Sequence, residues 1–202
     1  MAKVLILFAH PVLEKSRIHA RLIRHLHALN GITFHDLYEA YPDFDIQVQK
    51  EQRLLMEHDI IIWQHPFYWY SAPAMIKQWQ DLVLEHNWAY GSEGRMLENK
   101  RILNAVSMGG RKEAYSREGR NRFTVPEFLA PFEQTARLCK MIYLPPFVIH
   151  GTHKLLPTDM DLYAVQYEQL LVALAADRIS EEEIKSVTYL NELVPTPDQI
   201  IS

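Results

Sequence analysis

Apolar residues occur along this chain in two rhythms, short unbroken runs and longer stretches with helical spacing, and the two alternate. Val4-Leu5-Ile6-Leu7-Phe8 is unbroken, as expected of a strand buried on both faces. Ser16–Leu29 follows with Ile18, Leu22, Ile23 and Leu26 on one helical face, and Asn30-Gly31 stops it. The same patterns predict strands at Thr33–Leu37, Asp59–Gln64 and Arg101–Ser107. They predict helices at Gln47–Met56, Pro73–Glu85, Val125–Lys140 and Asp159–Ala176. Ile142–His150 reads as a fifth strand interrupted by Pro145-Pro146. Alternation of this kind implies an α/β domain, doubly wound, with a five-stranded parallel sheet in the order 2-1-3-4-5 and helices on both faces. Residues 1–176 form this domain, and 177–202 read as a C-terminal extension. The extension opens on a helix start at Ser180-Glu181-Glu182-Glu183 and runs to Pro195-Thr196-Pro197.

Composition changes this picture little. The 202 residues suffice for one substantial core, and the net charge of −4 gives no reason to expect nucleic acid as a partner. A single cysteine, Cys139, excludes an intrachain disulfide and reads as a buried thiol in a reducing compartment. The first apolar run is too short for a membrane span or a secretory leader, and His10-Pro11 ends it, so a cytoplasmic address is expected. The ten histidines are scattered. His25 and His27 face different sides of a helix, His150 and His153 have no acidic neighbour in sequence, and no metal site is expected. Arg17, Arg21 and Arg24 share a helical stripe, which reads as a solvated face near Ser16.

The chemistry concentrates in three segments that each follow a strand and therefore meet at one end of the sheet, where ligands bind in open α/β folds. The first, His10 to His19, places the Ser16 hydroxyl at a helix start, fit either to cap the backbone or to bind a phosphate. The second is Trp63-Gln64-His65-Pro66-Phe67-Tyr68-Trp69-Tyr70-Ser71-Ala72-Pro73. Four consecutive aromatic residues, Phe67 to Tyr70, cannot all enter one core, so some face a flat ligand or a partner chain. The third, Ser107-Met108-Gly109-Gly110, lets a ligand approach backbone closely, although paired glycines are also an ordinary turn. No G-x-G-x-x-G, Walker A, His-Glu-x-x-His or Gly-x-Ser-x-Gly pattern is present.

Further markers are Phe8-Ala9-His10-Pro11, Leu37-Tyr38-Glu39-Ala40-Tyr41-Pro42-Asp43-Phe44, Lys77-Gln78-Trp79, Trp88-Ala89-Tyr90-Gly91 and Leu144-Pro145-Pro146-Phe147. With them, the chain from about Lys3 to Tyr167 resembles the flavodoxin-like, FMN-dependent NAD(P)H:quinone oxidoreductases. Within that family it looks most like the ancillary proteins of bacterial glutathione-gated potassium-efflux systems, to which Tyr41-Pro42-Asp43-Phe44 points. The resemblance implies a flavodoxin-like fold with FMN as cofactor and NAD(P)H as co-substrate. It implies that His10, Ser16, Arg17, Ile18 and His19 hold the phosphate and ribityl chain. Phe67, Tyr68, Trp69 and Tyr70 would flank the isoalloxazine, supported by Ser107, Met108, Gly109 and Gly110. Histidine stands at 19 where related proteins often carry asparagine. Tyr115 matches a tyrosine that stabilises charge during hydride transfer, whereas Asn121 stands where the family's histidine would be.

The resemblance further implies a two-electron, ping-pong transfer from NAD(P)H through FMN to a quinone, in a homodimer that builds its flavin site at a two-fold interface. The competing reading is a regulatory subunit that docks on a potassium-efflux membrane protein from the cytoplasmic side, at the inner face of the membrane.

Overall fold

The computed structural model of the chain describes residues 1–195; Thr196 and Pro197 of the proline-rich end lie outside the described residues. Six strands form one parallel sheet: β1 (Val4–Phe8), β2 (Ile32–Asp36), β3 (Ile60–Pro66), β4 (Arg101–Ser107), β5 (Ile142–Tyr143) and β6 (Phe147–Ile149). Their order is β2-β1-β3-β4-β5, and β6 also pairs with β4. The expected fifth strand is thus two short strands, consecutive in sequence and paired with the same neighbour. Pro145 and Pro146, which carry no N–H for the ladder, separate them.

Strand alternation sorts the core into two halves. Leu5, Leu7, Ile61, Trp63, Ile102 and Val106 point to one face. There they meet Leu55 of α3 (Val48–Glu57), Ile76 and Trp79 of α4 (Ala74–Val83), and Leu129 and Phe132 of α5 (Val125–Leu138). Val4, Ile6, Phe8, Ile60, Ile62 and Leu103 point the other way, onto Leu22 of α1 (His19–Leu22) and Tyr167, Leu170 and Leu174 of α6 (Pro157–Ala175). Ile184 and Leu190, beyond α6, join this second half. The helix start at Ser180 is present as a capping box with Glu183.

Two elements differ from the sequence expectation. The helix expected over Ser16–Leu29 is a single α-turn, α1, followed by a 3-10 turn at Leu26–Ala28. Ile18, Leu22 and Leu26 are nevertheless buried, so the apolar face exists without a continuous helix. Its composition explains this: Ile18, His19, Ile23, His25 and His27 are weak helix formers, and the bonds shorten to i→i−3 at Arg24 and Leu26. The second strand starts earlier than expected and ends at Asp36, whose carboxylate accepts from the amides of Tyr38 and Glu39 and so starts the short helix α2 (Leu37–Ala40).

Candidate functional site

The loops that follow β1, β3, β4 and β6 meet at the carboxyl edge of the sheet and enclose a cleft of about 460 Å³, within the range of small-molecule sites. One wall is His10, Val12, Lys15, Ser16, Arg17 and Ile18. The opposite side is Pro66, Phe67, Tyr68, Ser107 and Gly109, and Thr152 and His153 complete it from the loop after β6.

The first wall is built to receive an anion. Ser16 accepts from the amide of His19 at 3.2 Å, which leaves its hydroxyl hydrogen free to donate. Among the described residues, the amides of Arg17 and Ile18 have no carbonyl partner. The side chains of Lys15 and Arg17 add positive charge, and Arg17 is steadied by the Leu155 carbonyl at 3.4 Å. His10 is 7 % exposed; burial lowers its pKa, against the opposing pull of Glu14. Its Nδ1 accepts from the Val12 amide at 3.2 Å, so Nε2–H is the nitrogen left to donate.

The aromatic run divides as its spacing requires. β3 continues through His65 and Pro66, and the Phe67 amide bonds the Ser107 carbonyl at 2.8 Å, carrying the sheet into the site. Phe67 packs against Tyr115 and Phe128, and Tyr68 stands edge-on to His10. Trp69 and Tyr70 both have positive φ, at 50° and 62°, a strained backbone for bulky residues that turns them out of the fold. Trp69 is 93 % exposed. With Phe67, Gly110, Ala114, Tyr115, Arg120 and Asn121 these two line a second hollow of about 350 Å³.

Besides Trp69 and Tyr70, three expected residues do not line the cleft. Met108 is buried in the core, its amide bound to the Ile149 carbonyl and its carbonyl to the Thr152 amide, so it props the loop. Gly110 borders the second hollow, where a Cβ would lie 2.9 Å from the Tyr115 ring. His19 has no exposed surface; its Nε2 lies 2.8 Å from Ser107 Oγ and its Nδ1 3.4 Å from Gln64 Nε2. Gly109 does border the cleft, and a Cβ there would meet the His153 ring at 2.5 Å.

Tyr115 has its phenol pKa raised, first by burial, while the Gly110 amide and the Asn121 side chain pull it down. It is therefore a proton-bearing donor at neutral pH. The His150 ring lies 5.7 Å from it, and burial with nearby Lys112 holds that imidazole at a pKa of about 4, neutral in ordinary conditions. The family resemblance brings in Tyr115 and Asn121, whereas the sequence reading weighs His150 and His153 only as metal ligands and does not single out Thr152. The rule that every strand's carboxyl end feeds the site would have found all three. Trp88 and Tyr90 pack half-buried on the first core half. Cys139 is buried, and burial pushes its thiol up to about 11. No helix among the described residues is long and apolar enough to cross a membrane.

The chain is similar to several known proteins. The potassium-efflux ancillary protein KefG of Pectobacterium carotovorum is 38 % identical over 181 residues, covering 90 % of this chain and 97 % of that protein. General stress protein 14 of Treponema denticola, solved in complex with FMN, is 39 % identical with a TM-score of 0.82, over 85 % of this chain and 99 % of the other. An NADPH-quinone reductase of P. pentosaceus is 35 % identical with a TM-score of 0.75, over 83 % and 96 % respectively. A family model described as flavodoxin-like fold matches residues 2–171. The strand order, the cleft at the sheet's carboxyl edge and this match together place the chain in the flavodoxin-like fold family.

Proposed function

We propose that this protein is an FMN-dependent NAD(P)H:quinone oxidoreductase. The observation that carries the reading is the cleft, which joins a cationic, hydroxyl-bearing wall to an aromatic one at the carboxyl edge of β1, β3 and β4. The residues fit the cofactor. Lys15, Ser16 and Arg17 are the chemistry a phosphate needs, and Phe67 and Tyr68 are the surface a flat ring needs. Gly109 leaves room that a side chain could take only by displacing His153. FMN, when bound, supplies the two-electron chemistry that takes hydride from NAD(P)H and gives it to a quinone.

The chain's own residues bind, orient and exclude water. His10 and Ser16 donate hydrogen bonds from the first wall. Phe67 and Tyr68 form the dry side, and Tyr115 holds a phenol proton at the adjoining hollow, available to developing negative charge. That hollow is open enough for nicotinamide and quinone to use in turn, which gives ping-pong kinetics. Residues 1–176 hold the cofactor, and 177–202 are an extension, of which Ile184, Leu190 and Val194 pack on the second half of the core. The test is a visible spectrum of the purified protein with added FMN, under anaerobic NADPH and then a quinone. Uptake of FMN, bleaching and recovery of colour are expected; no uptake, or no bleaching, would overturn the reading.

A second role is favoured by the KefG relative, which spans nearly the whole chain, together with the Tyr41–Phe44 turn. Phe44 has a φ of 60° and is 37 % exposed, presented at the surface against Tyr38. In this role the protein docks from the cytoplasm on a potassium-efflux membrane protein at the inner face of the membrane. Pull-down with the soluble domain of such a protein, across salt concentrations, tests it; no capture of the wild type counts against it. The two roles are compatible.

A further inference from the structure

A chain of four buried polar groups runs from the second half of the core to the cleft. The Tyr167 hydroxyl lies 3.0 Å from Gln64 Oε1, Gln64 Nε2 lies 3.4 Å from His19 Nδ1, and His19 Nε2 lies 2.8 Å from Ser107 Oγ. Tyr167, Gln64 and His19 have essentially no exposed surface, and Ser107, 7 % exposed, is the member that lines the cleft.

Such a chain has two possible polarities, because an amide can be turned over and a neutral imidazole carries one proton on either nitrogen. In one, Tyr167 donates to Gln64, Gln64 to His19 Nδ1, and His19 Nε2–H to Ser107. In the other every bond is reversed. The far end decides between them. Among the described residues, Gln64 is the hydrogen-bond partner of the Tyr167 hydroxyl. The reversed chain would leave a phenol O–H buried with no acceptor, which folded proteins avoid. Neutral His19 is required by either polarity, and burial together with His10 and His65 keeps it so.

We propose that His19 is a positioning residue that fixes the Ser107 hydroxyl as a hydrogen-bond donor into the cleft, with Gln64 and Tyr167 selecting its tautomer. Ser107 Oγ accepts from His19, so its own hydrogen is turned toward the ligand. The site then favours rings that present an acceptor, a carbonyl oxygen or an unprotonated ring nitrogen, at the end of β4. The identity of that ring as FMN rests on the function proposed above; the polarity does not.

The test uses full-length protein labelled with ¹⁵N in histidine, with the His19 signals assigned by their loss in His19→Gln. Two-bond proton–nitrogen correlation near neutral pH is expected to show the Nε2–H tautomer at His19; an Nδ1–H tautomer would overturn the proposal. FMN titration of variants is the second readout. Ser107→Ala is expected to weaken binding about fivefold and Tyr167→Phe about twofold, the double variant being no weaker than Ser107→Ala alone. Full additivity, or wild-type affinity in Ser107→Ala, would also overturn it. Wild-type protein that takes up no FMN would refute the flavin reading, and the tautomer would then decide the relay by itself.

Discussion

Tyr115 shows how little space a single hydroxyl is given. The Gly110 amide lies close enough to the phenol to pull its pKa down, and a Cβ on Gly110 would lie 3.0 Å from the phenol oxygen and 2.9 Å from the ring. A methyl there cannot be added without moving the tyrosine. Gly110→Ala is therefore expected to act as Tyr115→Phe does, by taking the donor out of position. Each should lower steady-state turnover with NADPH and a quinone about tenfold, the value of one hydrogen bond to developing charge, while bound FMN is retained. Wild-type turnover in Gly110→Ala would show that the phenol is idle. Asn121 enters through the same atom. It cannot carry charge as histidine would, but its side chain stands beside the phenol and pulls the phenol pKa down.

Glu51 works between elements. It lies on α3 with no exposed surface and accepts from His35 of β2 at 2.8 Å, from Tyr41 after α2 at 2.5 Å and from Trp79 of α4 at 2.9 Å. Burial alone would raise its pKa, but the three donors, His35 first, outweigh it and leave the carboxyl below its ordinary value. A depressed carboxyl contributes its stability above the unfolded pKa of about 4.3 and loses it as pH falls through the lower folded value. Glu51→Gln places an amide N–H₂ against a ring of donors. It should cost about 1–3 kcal/mol in urea unfolding at neutral pH and flatten the loss of stability below about pH 4. An unchanged acid limb would show that other carboxylates govern it. This network was not legible in the sequence, because its members are brought together by the sheet and not by spacing. Elements with strong local signals were legible: the unbroken β1 and β3, the Pro73 start of α4, and the Ser180 capping box. The helix expected from Ser16 to Leu29 failed because its apolar spacing was right while its histidines and isoleucines were poor helix formers. The candidate site was legible as three loops, since the parallel sheet forces them to one edge. The loop after β6 was hidden by the proline break, and His19 read as a ligand contact because sequence gives no depth.

At the scale of the molecule, one surface is unlike the rest. Trp69 at 93 % and Tyr70 at 53 % exposure line the second hollow, beside Tyr68 at the cleft, and Phe123, 49 % exposed, packs on Phe128, which stacks with Tyr70. Positive φ at both Trp69 and Tyr70 means that backbone strain presents these rings to water, a cost that a single chain does not recover. A second copy of the chain would recover it by burying aromatic area of the kind enriched at interface centres. The family resemblance likewise implies a flavin site completed at a two-fold interface. Sedimentation velocity is expected to show a dimer, with Trp69→Ser combined with Phe123→Ser shifting it to monomer. If the partner completes the site, the same double variant should bind FMN about tenfold more weakly at low protein concentration and regain affinity as concentration rises, because assembly and binding are then linked. Neither substitution removes a residue of the first cleft. A monomeric wild type with undiminished FMN affinity would therefore separate the aromatic surface from the site and leave its rings to another partner.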